Sequence, residues 1–165
     1  MNPLDVLKYG NTAFREALHD LPMTQWETGG VCGVWSVKDI VAHLASYEHL
    51  LAEVLTGFLG GGDTPYLAEI GTVGPLGFND IEVDKRRSQS AEEIHEEYVI
   101  ACARSMELAQ RLPPDIWRDP GTLPWYGDEY ALDDFIVYSF YGHKREHAAQ
   151  INVFKDSLKA TTDAG

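Results

Sequence analysis

The chain has 165 residues, is 44% apolar and 24% charged, and carries a formal net charge of −13 from 26 acidic and 13 basic side chains. Its length suits one domain with a sizeable core, and its composition is that of a folded globular protein rather than a disordered one. A surface this negative repels phosphate backbones, and the densest basic cluster, "DKRRS" at 84–88, is flanked by Glu82, Glu92 and Glu93, so nucleic-acid binding is not expected.

Helical periodicity dominates from the start. Over residues 3–20, Leu4, Leu7, Ala13 (or Phe14), Ala17 and Leu18 recur at helical spacing; Pro3 suits a first turn and Pro22 follows the end. A second helix is predicted from Ser36, with Asp39 three residues on in a capping-box arrangement. Its apolar pattern runs from Ile40 to about Leu59, where Gly60, Gly61 and Gly62 stop it. Residues 60–78 hold six glycines and two prolines and read as a long loop, a feature that in a compact domain is usually functional or mobile.

A third segment is predicted from near Asn79. It breaks at Ser88-Gln89-Ser90, restarts on a second capping box of Ser90 and Glu93, and ends at Leu112 before Pro113-Pro114. Residues 113–131 form a second irregular stretch, rich in Pro, Gly and aromatic residues. A fourth segment runs from about Leu132 to Leu158, and 159–165 read as a frayed tail. Strand alternation and internal repeats are lacking. Four principal helices in a single domain over 1–165 predict an all-α fold, a four-helix bundle with two long connecting loops.

No stretch approaches the roughly 18 consecutive apolar residues of a membrane span, and "MNPLDVLKYGNTAF" is not a signal peptide in pattern. A cytoplasmic protein without membrane partners is expected. Cys32 and Cys102 belong to no C-x-x-C and fit reduced thiols.

Chemistry concentrates in "YGHKREHAAQI", where His143 and His147 stand four residues apart. On a helix of about 100° per residue they share one face with Ile136, Phe140, Gln150, Ile151, Phe154 and Leu158, while Lys144, Arg145 and Lys155 are expected toward solvent. In the second helix, His43 shares a face with Tyr47, Leu50 and Val54; His49 falls on the flank, about 120° away. His95 lies at the edge of the third segment and His19 near the end of the first. Three core-facing imidazoles suit zinc, nickel, copper or iron, although a helical histidine pair also arises without a metal. Periodicity alone does not bring helices two and four together.

"WSVKDIVAHL" followed far downstream by "HKREHAAQI" resembles the DinB-like (YfiT-like) superfamily of metal-binding four-helix bundles. "GFNDIEVDKRRSQSAEEIHEEY" is similar to its third-helix region, and "WYGDEYALDDFI" with "YGHKREHAAQI" looks closest to the ClbS/DfsB-like branch. The resemblance covers roughly residues 3–158. It implies that His43, His143 and His147 bind a divalent metal, commonly nickel or zinc. It also implies one of several activities: thiol-dependent S-transfer or isomerisation with mycothiol, bacillithiol or glutathione, or detoxification such as opening a cyclopropane in a genotoxin.

The leading expectation is a metal-dependent transferase or hydrolase acting on a small electrophilic molecule, with a low-molecular-weight thiol as a candidate co-substrate. Glu146 could orient a ligand or act as a base, or be an exposed helical glutamate. Tyr47 could point its phenol into the same cavity, or be a core tyrosine; Gln150 is a weaker polar candidate. Trp117, Trp125 and Tyr126, with the glycine-rich stretch, could rim a cavity or simply cover the bundle end. Arg86 or Arg118 could receive an anionic group, or sit in surface ion pairs. The alternatives are a non-enzymatic protein that sequesters a small molecule, its metal structural or absent, and a homodimer formed through exposed aromatics.

Overall fold

The computed structural model describes residues 2–163. They form α1 (Pro3–Leu18), α2 (Val37–Phe58), α3 (Pro65–Lys85), α4 (Ala91–Arg111), the short α5 (Leu132–Ile136), a π-helical segment (Val137–Gly142) and α6 (His143–Asp163). Among the described residues there is no strand, only an isolated bridge between Cys32 and Trp35. The fold is all-α: α2 packs chiefly on α4, α1 on α6, and α3 lies against α2. Among the described residues no helix is long and apolar enough to cross a membrane.

The starts of the helices follow local chemistry. Asn2 caps α1, its side-chain oxygen accepting from the Leu4 amide at 3.0 Å. Both predicted capping boxes are present, Ser36 with Asp39 and Ser90 with Glu93. Each satisfies amides that the first helical turn leaves without partners. Gly10 of α1 is buried against the π-helical segment, where a Cβ would meet the Tyr141 backbone at 3.4 Å, an ordinary van der Waals contact.

Residues 60–78 differ from expectation. The predicted loop is helical from Pro65, so α3 begins well before Asn79 and is separate from α4. Its start is capped from outside: Glu53 of α2 accepts from the Tyr66 and Leu67 amides at 3.0 and 2.9 Å. Tyr66, Leu67, Ile70 and Phe78 then pack into the core, and this burial offsets the poor helix propensity of the glycines. The glycine signal survives as a kink at Gly74, whose φ of 75° and ψ of 169° break the helical path ahead of Pro75. Residues 113–131 are irregular as expected, with one 3₁₀ turn at Ile116–Arg118. Residues 159–163, expected to fray, are helical. α6 continues to Asp163, and Thr161 and Thr162 hydroxyls bond back to the Leu158 carbonyl; 164–165 lie outside the described residues.

Two apolar clusters fill the bundle. One gathers Leu7, Leu51, Leu108 and Phe140; the other gathers Phe14, Ala45, Tyr98 and Ala148. Each large side chain buried there contributes about 1.5–3 kcal/mol.

Candidate metal centre

α2 carries His43, 1% exposed, and α6 opens on His143 with buried His147 one turn later. The π-helical segment widens the chain just before His143, a distortion that recurs at functional sites. The three rings meet. His143 Nε2 lies 2.8 Å from His43 Nε2 and 3.0 Å from His147 Nε2, and ligand nitrogens of all three lie within 4.8 Å of one another.

Neutral imidazole nitrogens offer one in-plane direction each, either a proton or a lone pair. His147 Nδ1 is 2.8 Å from the Gln150 side-chain oxygen, so that nitrogen carries the proton and Nε2 keeps its lone pair. His143 Nε2 faces two other Nε2 atoms at once and can make a well-aligned hydrogen bond to only one. The remaining contact sets like against like unless a cation lies between them. Zinc–nitrogen bonds of 2.0–2.1 Å in a tetrahedron place ligand nitrogens about 3.3 Å apart, close to the observed spacing. The donor set therefore fits a divalent ion, and His43, His143 and His147 could hold one.

Electrostatics agree. Burial, reinforced by the neighbouring His143 and His147, pushes the His43 pKa down to about 2. Burial and His147 lower His143 to about 4, against a backbone interaction with Ser139 that favours its charged form. Burial also lowers His147, opposed by Gln150 and Glu146. All three rings are thus neutral at physiological pH, the form in which imidazole is a ligand. His43 Nδ1 is buried without a hydrogen-bond partner among the described residues.

Tyr47 sits beside the triad, its ring centroid 4.8 Å from that of His43 and 5.0 Å from that of His143. Burial raises its phenol above the usual value, so it stays protonated. Trp35, which the sequence reading did not single out, also packs on His43, the ring centroids 5.0 Å apart. The Cys32–Trp35 bridge places it, and its position just before the Ser36 cap was the only hint. Glu146 is exposed and reaches His147 only through its charge. Gln150, the weaker candidate, is the residue that touches a ligand ring.

Three expectations are corrected. Lys144 is not solvent-facing: it is 1% exposed and bonds Glu48 and Asn11, because a carboxylate waits for it on α2. Lys155 is half-buried and donates to the Ala17 and His19 carbonyls at 3.1 and 2.8 Å, at the end of α1. Arg86 is not in a surface pair. It is buried, with Nε, both terminal nitrogens and their protons spent on Glu82, Glu97 and the Tyr66 hydroxyl. Arg118 is exposed, 3.7 Å from Asp133.

Among the other candidates, Trp117 is core, whereas Trp125 is 54% exposed. Trp125 and Tyr126 both pack on Phe135, and contacts continue through Phe140 to Tyr47, linking the irregular stretch to the triad. His49 stands apart from the triad, 2.9 Å from Glu97 and stacked on Tyr66. His95 packs on Trp26, and His19 pairs with Asp20 at the surface.

Residues 8–132, more than half of the chain, match the model of the mycothiol maleylpyruvate isomerase N-terminal domain. The match includes His43 and ends before His143 and His147. No curated protein and no solved structure matches the chain. The chain belongs to the mycothiol maleylpyruvate isomerase N-terminal domain family, and through it to the DinB-like superfamily that its histidine pattern resembles.

Proposed function

We propose that this protein is a cytoplasmic, divalent-metal-dependent enzyme that joins a low-molecular-weight thiol to a small electrophilic molecule, in a detoxification or stress role. Nickel or zinc on His43, His143 and His147 is the metal. The observation that carries the reading is the convergence of three neutral Nε2 atoms, two of them facing the third at 2.8 and 3.0 Å. The family's description supports the thiol, since it names mycothiol for the protein after which it is called.

When bound, a divalent cation supplies the Lewis acidity that ionises a coordinating thiol at neutral pH. The chain's own residues do the rest. Gln150 holds the His147 ring so that its Nε2 stays directed at the centre. Trp35 and Tyr47 pack against His43 and would flank the bound ion. On an unsaturated electrophile the thiol sulfur would bond to one carbon of the double bond, the π electron pair would pass to the conjugated neighbouring atom, and the Tyr47 phenol would donate a proton there. The thiol's own proton returns to solvent and restores Tyr47. Glu146, exposed, has no place in this chemistry beyond its charge.

The test uses protein purified without a histidine tag, its metal content measured by mass spectrometry. Wild type should hold about one divalent ion per chain and catalyse thiol consumption with one of a panel of electrophiles, using mycothiol, bacillithiol or glutathione. His43→Ala should stay folded and lose both. Catalysis that persists in His43→Ala would rule out the metal mechanism. One bound ion per chain with no turnover across the panel would favour sequestration of a small molecule.

A further inference from the structure

A layer of polar side chains crosses the bundle between its two apolar clusters, one from each of α1, α2, α4 and α6. Asn11 comes from α1, Glu48 from α2, Ser105 from α4 and Lys144 from α6. Along α1 the order is Leu7, Asn11, Phe14; along α2 it is Ala45, Glu48, Leu51; along α4 it is Tyr98, Ser105, Leu108; along α6 it is Ala148, Lys144 and, before the helix, Phe140. In each case the outer two residues belong to different clusters.

The Lys144 ammonium and the Glu48 carboxylate are each 1% exposed and bonded to one another, and Asn11 Oδ1 accepts a second ammonium proton. Ser105 donates to the Glu48 backbone carbonyl at 3.1 Å. Such a pair is weak ground for stability, because taking both charges out of water offsets their attraction, and two apolar side chains would fill the same space. What the pair supplies is register. One axial offset of α2 against α6 brings ammonium to carboxylate, and a slip of one turn, about 5.4 Å, strands two buried charges. Apolar side chains tolerate such slips far better. α2 and α6 also need an outside constraint, since α2 packs chiefly on α4 and α6 on α1.

The pair adjoins the histidines. Glu48 follows Tyr47 and lies five residues beyond His43; Lys144 follows His143 and precedes His147 by three. We infer that the Glu48–Lys144 pair, with Asn11 as second acceptor, is the register lock that holds His43 opposite His143 and His147, making these positioning residues of the metal centre. The inference rests on the metal reading above.

The test compares wild type with the double variant Glu48→Leu/Lys144→Met, with the exchanged pair Glu48→Lys/Lys144→Glu, and with Glu48→Gln. Cobalt(II) titration reads affinity and, through the visible absorption bands, ligand geometry. Thermal melting of the metal-free proteins reads stability. The double variant should melt at or above the wild-type temperature yet bind cobalt about 10–100-fold more weakly, with shifted bands. The exchanged pair should recover part of the affinity. Glu48→Gln keeps shape but replaces the ion pair by a neutral hydrogen bond, which lowers the cost of a slip; it covers failure of the double variant to fold and should weaken binding several-fold. Wild-type affinity and bands in the double variant, or in Glu48→Gln if only that one folds, overturn the lock alone. Absence of cobalt binding by wild type overturns the metal reading and the lock with it.

Discussion

His147 Nδ1 lies 2.8 Å from the side-chain oxygen of Gln150, three residues further along the same helix. That contact fixes which ring nitrogen is protonated and so leaves Nε2 free to be a ligand. Gln150→Leu removes the acceptor while keeping the size, and metal affinity is expected to fall about 10-fold or more. Competitive titration against a chromophoric chelator measures it. Gln150→Glu should bind at least as tightly as wild type, because a carboxylate accepts the same proton more strongly; weaker binding there would mean the contact does not act through the His147 tautomer.

Tyr47 packs against two of the three histidine rings with its phenol held protonated by burial. Tyr47→Phe keeps the wall and removes the proton. Metal content should be unchanged and turnover should fall about 100-fold or more, the range of a lost general acid. Equal turnover in the two proteins would leave Tyr47 as packing only.

Glu97 contributes to the loss of stability in acid. Burial alone would raise its carboxyl, but hydrogen bonds from His49 and Arg86 outweigh that and hold the pKa at about 2. The unfolded chain's carboxyl titrates near about 4.3. The folded value is the lower one, so the contribution is complete above about 4.3 and is lost as pH falls toward 2. With the side chain 24% exposed, solvent screening reduces it to on the order of 1–2 kcal/mol. Urea unfolding at pH 6 and pH 3.5 should show a smaller loss of stability in Glu97→Gln than in wild type; identical pH slopes would contradict the assignment.

Gly74 holds a backbone conformation, φ 75° and ψ 169°, that is essentially reserved for glycine. Gly74→Ala should destabilise the protein by about 1–3 kcal/mol. Gly71→Ala is the control: its Cβ would meet nothing within 4 Å. In ordinary helix it should be neutral or stabilising by up to about 1 kcal/mol. Calorimetric melting of the two proteins separates a required kink from a general dislike of substitution in α3.

The all-α fold was legible because periodicity and capping are local: Ser36 with Asp39 and Ser90 with Glu93 start helices where the sequence says they should. α3 was not legible, since the partner for its first amides is Glu53, on another helix. The histidines were readable by phase and by resemblance. Lys144 was misread although the same phase puts it only about 60° from His147. The missed signal was Glu48, which on α2 points in the direction shared by Leu44, Leu51 and Leu55. A carboxylate there demands a buried cation, and Lys144 provides it.

His43 and His143 stand 100 positions apart in the chain and 2.8 Å apart in space. A cation shared between them closes most of the polypeptide into a single ring, as a cross-link would. For a ring of this size the entropy removed from the unfolded chain corresponds to about 4–5 kcal/mol, the scale of a native disulfide. A chain whose two cysteines are both free would thereby gain, with an ion bound, a staple that a chelator removes and a supply of the ion restores. Metal availability would then set how long the protein survives in the cell as well as whether it reacts.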